Sequence, residues 1–279
     1  MTRWAAMMVA GVLVFGTGCR VARVQEVGVF DQSDAVLARD VSVLNWNIQK
    51  SRDAAVAGEL AEVADAWSPD LILLQEVRED IATLQGYGAV FAPAWRYPWA
   101  GSAARGVMTI SRVPPIEVEA MASRKREPAW TAPKMALATL YGMAEGEPLL
   151  AVNVHCLNFQ RFTTRKFRDQ LGELEAVIGA HEGPVVFAGD FNTWSRKRLT
   201  ILTEMAERVG VEEIEGFPAG RKTGAQSPAF LNGLLGIDPA LVLDRIFVRG
   251  FDVKDAEVFP DGSSDHRAMG VRLRLAGPE

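Results

Sequence analysis

Polar side chains that follow apolar stretches of strand length are the feature of this chain that most constrains its fold. Four of five such polar segments directly follow a stretch typical of a buried strand. A sheet can hold a side chain rigidly at a strand end while leaving its tip in a cleft. We expect the five segments to meet in one site: Leu44-Asn45-Trp46-Asn47-Ile48, Leu74-Gln75-Glu76, Asn153-Val154-His155, Gly189-Asp190-Phe191-Asn192 and Ser264-Asp265-His266.

Hydrophobic patterning along the chain predicts more strands than helices. Strands are predicted over 41–44, 71–74, 106–111, 134–141, 149–154, 184–188, 241–248, 251–258 and 268–275. Helices are predicted over 53–67, with Asp53 as its cap, 163–180 and 196–208. With 48% hydrophobic and 23% charged residues, the 279-residue chain can bury one large core. We therefore predict two β-sheets packed face to face with helices outside.

The N-terminus has the composition of an export signal. Residues 1–3 carry one positive charge and residues 4–18 carry none, in a run shorter than the roughly 20 apolar residues that cross a bilayer. The run ends at Gly18-Cys19, which resembles a bacterial lipoprotein processing site, although Gly16 stands where such sites usually carry leucine. Simple signal cleavage is the alternative.

From this pattern we predict a chain exported to the cell envelope and anchored to a membrane through a lipidated Cys19. The predicted divisions are a signal peptide over 1–18, a tether over 19–39 and a single domain over 40–279, which we expect to be a monomer.

The net charge of −5 argues against a protein built mainly to coat nucleic acid, since such proteins are usually basic. A solvated helix start is the ordinary explanation for any one group of basic residues. Two of four groups closely follow the polar segments, however, which favours a rim that attracts a phosphorylated substrate. The groups are Arg124-Lys125-Arg126, Arg161 with Arg165-Lys166 and Arg168, Arg196-Lys197-Arg198, and Arg221-Lys222.

The five polar segments resemble the motif series of the endonuclease/exonuclease/phosphatase superfamily, which includes DNase I-like nucleases, abasic-site endonucleases, sphingomyelinases and inositol-phosphate phosphatases. The resemblance covers about residues 41–275. It implies an α/β fold, the four-layer α/β sandwich, in which two packed, mostly antiparallel β-sheets are flanked by helices. Other segments resemble a bacterial, exported subgroup: Gly106-Val107-Met108-Thr109, Arg126-Glu127-Pro128 and 189–196.

Hydrolysis of a phosphate ester needs a cation at the phosphoryl oxygens, a base for water and a group that manages leaving-group charge. Glu76 and Asp265 supply carboxylates for magnesium, which prefers oxygen ligands. Asp190 can orient and deprotonate water, and Asn192 can donate to the developing oxyanion. The two share a tight turn and are expected to point the same way, because alternate residues of an extended chain do. An Asx turn would explain Asn192 alone.

A catalytic histidine needs an acceptor for its second ring nitrogen. For His266 the candidate is Asp244, with a buried structural carboxylate as the alternative reading. Cys156, beside His155, suggests a thiol nucleophile, but a free cysteine more often packs as a small apolar group.

The superfamily resemblance implies a role for each position that matches a motif. Glu76 would bind Mg²⁺, with Mn²⁺ as the alternative ion, helped by Asn47 and Asp265; Asp190 would position water; Asn192 would hold the phosphate; His266, oriented by Asp244, would stabilise the transition state; and His155 would contact the phosphate. DNase I pairs its equivalent of His155 with a glutamate from an earlier strand. Residues 92–116 contain no carboxylate here, which leaves Glu127 as the candidate substitute.

The favoured function is therefore a magnesium-dependent phosphodiesterase or phosphomonoesterase outside the cytoplasm, with nuclease as the first choice. Arginine groups and Trp95, Trp99, Trp130 and Trp194 would contact phosphates and stack on bases. The same tryptophans could lie against a membrane, which favours a phospholipid substrate. Cleavage of a phospholipid, inositol-phosphate or sugar-phosphate ester is therefore the alternative to a nuclease. A non-catalytic binding lipoprotein is less favoured, since the carboxylates and His266 are all kept.

Overall fold

A computed structural model describes residues 20–21, 24–28, 30, 35–48, 54–82, 84–95, 103–127, 132–158, 163–215, 217 and 242–277. Its strands are β1 (Arg20–Val21), β2 (Gln25–Val27), β3 (Asp40–Asn47), β4 (Leu71–Arg78), β5 (Gly88–Trp95), β6 (Arg105–Ser111), β7 (Glu117–Ala122), β8 (Met135–Tyr141), β9 (Leu149–His155), β10 (Val185–Asp190), β11 (Glu212–Glu213), β12 (Asp244–Arg249), β13 (Phe251–Val258) and β14 (Met269–Leu275). Its helices are α1 (Ala54–Trp67), α2 (Arg165–Gly179) and α3 (Arg196–Val209).

Across the described ranges the strands form two seven-stranded sheets. Sheet A has the order β1-β7-β8-β9-β10-β12-β11, and sheet B has the order β13-β14-β3-β4-β6-β5-β2. Each sheet holds a single parallel pair among its described strands, β9 with β10 in sheet A and β3 with β4 in sheet B. All other described pairings are antiparallel. A helix connects the strands of each parallel pair, as a parallel connection requires.

Four layers result from the way the apolar faces are buried. The two sheets pack on each other through residues such as Val43, Leu73 and Ile246. The outer face of sheet B is covered by α1 through Leu60, and the outer face of sheet A by α2 and α3 through Leu171 among others. The predicted four-layer α/β sandwich with mostly antiparallel sheets is confirmed. No helix among the described residues is both long and apolar enough to span a bilayer.

Several elements differ from the sequence prediction. The short or weakly patterned strands β1, β2, β5, β7 and β11 were not predicted, because they are edge strands or lack clear alternation. Parts of the predicted tether, 19–39, pair with the sheets as β1 and β2, and Leu37 is buried. The predicted helix cap Asp53 and the first residue of the predicted strand 241–248 lie outside the described residues.

Candidate active site

The ends of the two parallel pairs face each other at one end of the sandwich. In sheet B, Asn47 pairs with Gln75 at the end of β3 and β4. In sheet A, Asp190 lies between His155 on β9 and Asp244 on β12. Sheet-to-sheet packing brings β3 and β4 close to β10. The structure therefore brings four of the five polar segments together through strand ends.

Glu76 reaches the cleft because β4 is irregular at this point. The pairing of β4 with β6 shifts register between Leu74 and Val77, and Glu76 has a φ of 57°. A bulge re-aims side chains, and a positive φ in a non-glycine residue marks local strain that is often functional. Gln75 turns into the core instead, where its amide donates to Asn45 and Asn153 at 2.9 and 2.8 Å.

Asp190 is the buried carboxylate at the centre of the site. Its Oδ2 accepts a hydrogen bond from the Asn47 side-chain amide at 2.9 Å, and its Oδ1 accepts one from the Asn192 backbone N–H at 2.9 Å. Burial, together with the nearby Asp244 carboxylate, raises the pKa of Asp190. A carboxylate with a raised pKa is a stronger base and suits the role of positioning or deprotonating water.

Gly189 allows the strand before Asp190 to approach β9. Its φ is 152°, and an added Cβ would lie 1.9 Å from the Val154 carbonyl oxygen. Only glycine fits at this contact, so the position of Asp190 opposite His155 depends on it.

His266 and Asp244 form the expected pair. His266 Nδ1 lies 2.6 Å from Asp244 Oδ2, and both side chains are buried. Burial alone lowers the pKa of His266, but the Asp244 carboxylate outweighs this effect and the pKa rises to about 10. The ring is therefore an imidazolium at neutral pH.

The loop that carries His266 is attached to β3. The Trp46 indole N–H donates to the His266 carbonyl at 2.9 Å, and the Ser264 hydroxyl donates to the Asn47 carbonyl at 2.7 Å. On the first helix, the Glu59 carboxylate accepts from the Ser263 backbone N–H at 2.9 Å. These contacts fix Asp265 and His266 relative to the strand ends.

His155 faces two carboxylates and a lysine, Lys134. The sequence did not identify Lys134 as a site residue. His155 Nε2 lies 3.5 Å from Asp190 Oδ2, 3.8 Å from Glu76 Oε1 and 2.7 Å from Lys134 Nζ. Lys134 enters the site because β8 pairs antiparallel with β9, and a single lysine before an apolar strand gives no signal of this in the sequence. Glu127, the candidate partner of His155, accepts a hydrogen bond from the Asn158 backbone N–H.

Asn192 is oriented differently from the prediction. Its φ is 51°, so the chain from Asp190 is not extended, and the expected reason for their common direction is wrong. Asp190 instead forms an Asx turn onto the Asn192 backbone. One N–H of the Asn192 amide donates to the Cys156 carbonyl at 2.9 Å. The second N–H of that amide is the one that a phosphate oxygen would engage.

Arg198 holds the Asn192 turn from behind. Its Nε donates to the Asn192 carbonyl at 2.7 Å, its Nη2 donates to the Leu157 carbonyl, and its guanidinium lies 3.9 Å from the centre of the Phe167 ring. Arg198 is fully buried and burial lowers its pKa to about 10, so it is not part of an exposed basic rim. The sequence carries no signal that distinguishes the buried Arg198 from its exposed neighbours Arg196 and Lys197.

Two other sequence expectations concern residues beside the site. Cys156 is buried, and burial raises the pKa of its thiol, which fits packing and not nucleophilic attack. The Trp194 indole N–H donates to the Asn158 carbonyl at 3.3 Å, and the ring lies beside Arg198, so this side chain is engaged within the protein. The side chains of Trp95, Trp99 and Trp130 lie outside the described residues.

The donor set determines which cation the site could hold. Glu76, Asp265 and the Asn47 amide offer oxygen atoms, the ligands that Mg²⁺ and Mn²⁺ prefer. Asp190, Asp244 and His266 also group ligand atoms within 4.8 Å of one another, but His266 Nδ1 is already bonded to Asp244. By ligand type, Glu76, Asp265 and Asn47 are therefore the better metal candidates.

The chain is similar to known proteins in sequence and in fold. Residues 44–266 match the model of the Endonuclease/Exonuclease/phosphatase family. The chain is 32% identical over 250 residues to a UPF0294 protein from Vibrio cholerae, covering 85% of this chain and 78% of the relative. Its structure is similar to an endonuclease/exonuclease/phosphatase from Beutenbergia cavernae, with a TM-score of 0.61 and 20% identity over 86% of this chain and 72% of the other. It is also similar to ANGEL2, a 2′,3′-cyclic phosphatase, with a TM-score of 0.57 and 15% identity over 93% and 99% of the two chains.

Proposed function

The chain belongs to the Endonuclease/Exonuclease/phosphatase family of phosphate-ester hydrolases, and on that premise we propose that it is a Mg²⁺-dependent enzyme that acts outside the cytoplasm. The single observation that carries the proposed chemistry is the environment of Asp190. This buried carboxylate receives two hydrogen bonds and lies next to both His155 and the Asp244–His266 pair. A binding protein would have no need to keep a base and an imidazolium together in one cleft.

Each side chain has a proposed part in hydrolysis. Asp190, with its raised pKa, orients water and takes its proton, while Asn47 and the Asn192 backbone hold the carboxylate in place. His266 presents its Nε2 proton to the phosphoryl group, with Asp244 fixing the ring and balancing its charge. His155 contacts the phosphate from the side of sheet A. The Asn192 amide donates to a phosphate oxygen.

The family is in general dependent on divalent metal, and the carboxylate and amide oxygens of the donor set described above are ligands that fit such an ion. Glu76, Asp265 and Asn47 would hold it. When bound, the ion would withdraw charge from the phosphoryl oxygens. Mn²⁺ is the alternative, because it shares the preference for oxygen ligands.

Substrate choice rests on different observations from the chemistry. Nucleic acid was the first choice from sequence, and stacking on Trp194 was part of its support. Because the Trp194 indole is bonded to Asn158 and lies beside Arg198, that support is weakened. The net charge of −5 also does not favour nucleic acid. Phospholipid and sugar-phosphate esters therefore become at least equal candidates.

The location of the enzyme is proposed from the N-terminal sequence. The charged start, the uncharged run over 4–18 and Gly18-Cys19 support export and attachment to a membrane through a lipidated cysteine. A lipidated protein would act on the periplasmic side or at the cell surface, and we propose that it is a monomer.

One screen tests the proposed function. Purified protein is incubated with DNA, RNA, sphingomyelin and phosphoinositides, each with Mg²⁺ and with excess chelator. We expect release of phosphate ester products from at least one class with Mg²⁺ and loss of that activity in chelator. An Asp190→Asn variant with unchanged melting temperature serves as the control for contaminating enzymes. Activity that survives in this variant would contradict the assignment of the site.

A further inference from the structure

The first described residues of the chain lie at the catalytic end of sheet A. Arg20 pairs with Ala122 of β7, and Ala122 pairs with Met135 of β8. Because Ala136 pairs with Val154, the residue opposite Met135 is His155. His155 in turn pairs with Asp190. A single cross-strand row therefore runs from Arg20 to the proposed catalytic carboxylate.

The direction of the chain along this row determines at which end of the sheet β1 begins. β7 runs toward the catalytic end, and β1 is antiparallel to it, so β1 begins with Arg20 at that end. Three strand spacings separate β1 from β9, which is roughly 14 Å. Arg20, which directly follows the proposed anchor residue Cys19 in the sequence, therefore lies beside the cleft.

Exposed basic side chains border the same end. We define the basic rim as Lys125, Arg165, Arg168, Arg196 and Lys197, all of which are exposed. They lie in the loop after β7 and in the first turns of α2 and α3, which follow the catalytic ends of β9 and β10.

Residues next to the basic rim tie the segments that carry it to neighbouring elements. Lys166 Nζ donates to the Arg126 carbonyl at 2.8 Å, which ties the start of α2 to the loop after β7. Arg198 donates to the Leu157 carbonyl, which ties the start of α3 to the end of β9. The rim residues therefore lie on segments at the same end of the domain, on a chain whose net charge is −5. Arg124, which precedes Lys125 in the loop after β7, is paired with Glu173 at 2.9 Å and is not counted in the rim.

We propose that the basic rim docks on anionic phospholipid, so that the catalytic cleft faces the membrane to which the chain is attached. An anchor on the residue before Arg20 would limit how far the cleft can turn from the bilayer, and positive charge at that end would orient the cleft toward an anionic surface. This inference rests on the proposed function and adds its substrate source, namely phosphate esters displayed by lipid headgroups. Hydrolysis there would add water oxygen to phosphorus, break the bond to the leaving alcohol and return a proton to that alcohol.

Orientation is tested with full-length, processed protein in phosphatidylcholine vesicles, with and without phosphatidylglycerol. A fluorescent amino acid replaces Lys125 at the catalytic end or Glu145 at the opposite end, and quenching by spin-labelled lipid is measured. We expect quenching at position 125 that depends on phosphatidylglycerol, and none at position 145. Equal quenching at both positions, or quenching at 145 alone, would overturn the proposal.

A charge variant and a matched control test the rim itself, both with the probe at position 125. One basic residue near an anionic membrane surface raises the association constant with that surface about fivefold. Arg165→Gln/Lys197→Gln should therefore lower the equilibrium constant for docking of the rim on the membrane on the order of 30-fold. The control Arg39→Gln/Lys254→Gln removes the same charge away from the rim and should leave docking unchanged. Equal effects of the two variants would show that only net charge matters and would contradict the proposal.

The outcomes separate this inference from the proposed function. Phosphatidylglycerol-dependent quenching without hydrolysis of any phosphate ester would keep the docking surface and refute the enzyme. Rapid hydrolysis of DNA, with no quenching and with DNA binding lost in Arg165→Gln/Lys197→Gln, would assign the rim to nucleic acid and overturn membrane docking.

Discussion

Replacing Asp244 by asparagine tests the His266 pair more sharply than removing either side chain. Asparagine keeps the shape of the carboxylate but presents an amide to the ring nitrogen and cannot offset the imidazolium charge. Asp244 is the main reason that the pKa of His266 is raised to about 10 despite burial. We therefore expect Asp244→Asn to leave the ring largely neutral at pH 7.5.

The size of the effect follows from that pKa. A histidine with the ordinary pKa of about 6.5 is protonated in roughly one molecule in ten at pH 7.5, and burial without a carboxylate lowers this fraction further. The activity should thus fall at least about tenfold. The comparable aspartate-to-asparagine change in the serine-protease triad lowers turnover about 10⁴-fold. That loss is an upper bound here, because a metal ion would share the charge stabilisation.

The loss of turnover in Asp244→Asn should depend on pH. Because the folded-state pKa of His266 is raised, protonation of the ring stabilises the wild-type fold below pH 6.5, and this contribution is lost as the pH rises through about 10. In Asp244→Asn the protonated fraction should recover as the pH falls toward 6, so turnover relative to wild type should rise there. Initial rates between pH 6 and 9 measure this, with Asp255→Asn on the exposed edge strand as the control.

A double variant distinguishes a working pair from a structural carboxylate. If Asp244 acts through His266, Asp244→Asn/His266→Ala should be little less active than His266→Ala alone. Fully additive losses, or a fall in melting temperature that accounts for the lost activity, would refute the pairing role.

Three further changes probe the site, the strand contact and the anchor. Glu76→Gln should weaken Mg²⁺ binding more than tenfold while keeping the fold, because a carboxylate ligand becomes neutral; Mg²⁺ titration of activity and of melting temperature measures it. Gly189→Ala should lower the free energy of unfolding by at least about 2 kcal/mol, since its Cβ would meet the Val154 carbonyl. The control Gly172→Ala has open space around it and should not destabilise α2. Denaturant unfolding compares the two variants. Cys19→Ser should release soluble or unprocessed protein from membranes, and unchanged fractionation and processing would favour simple signal cleavage.

The parts of the fold that the sequence predicted are those with strong local patterns. Continuous apolar runs such as 71–74 gave the central strands, and helical spacing gave α2 to within two residues at its start and one at its end. Edge strands such as β1 and β2 were missed, because a few residues paired on one side carry little periodic signal. Their pairing depends on long-range contacts that composition does not encode.

For the site as well, local motifs could be predicted from the sequence and positions set by long-range packing could not. The structure brings together residues inside the motifs, such as Asp190 and His266, as the sequence predicted. Lys134 and Arg198 were not, because each owes its position to packing between distant elements. The geometry of Asn192 was also mispredicted, since a positive φ at a non-glycine residue is not apparent from sequence.

The most direct test of the central claim is hydrolysis of a phosphate ester by purified protein as a function of Mg²⁺. We expect activity that rises with Mg²⁺, disappears in excess chelator, returns when Mg²⁺ is restored and is lost in Glu76→Ala with the fold intact. Full activity in chelator, or in Glu76→Ala, would contradict it.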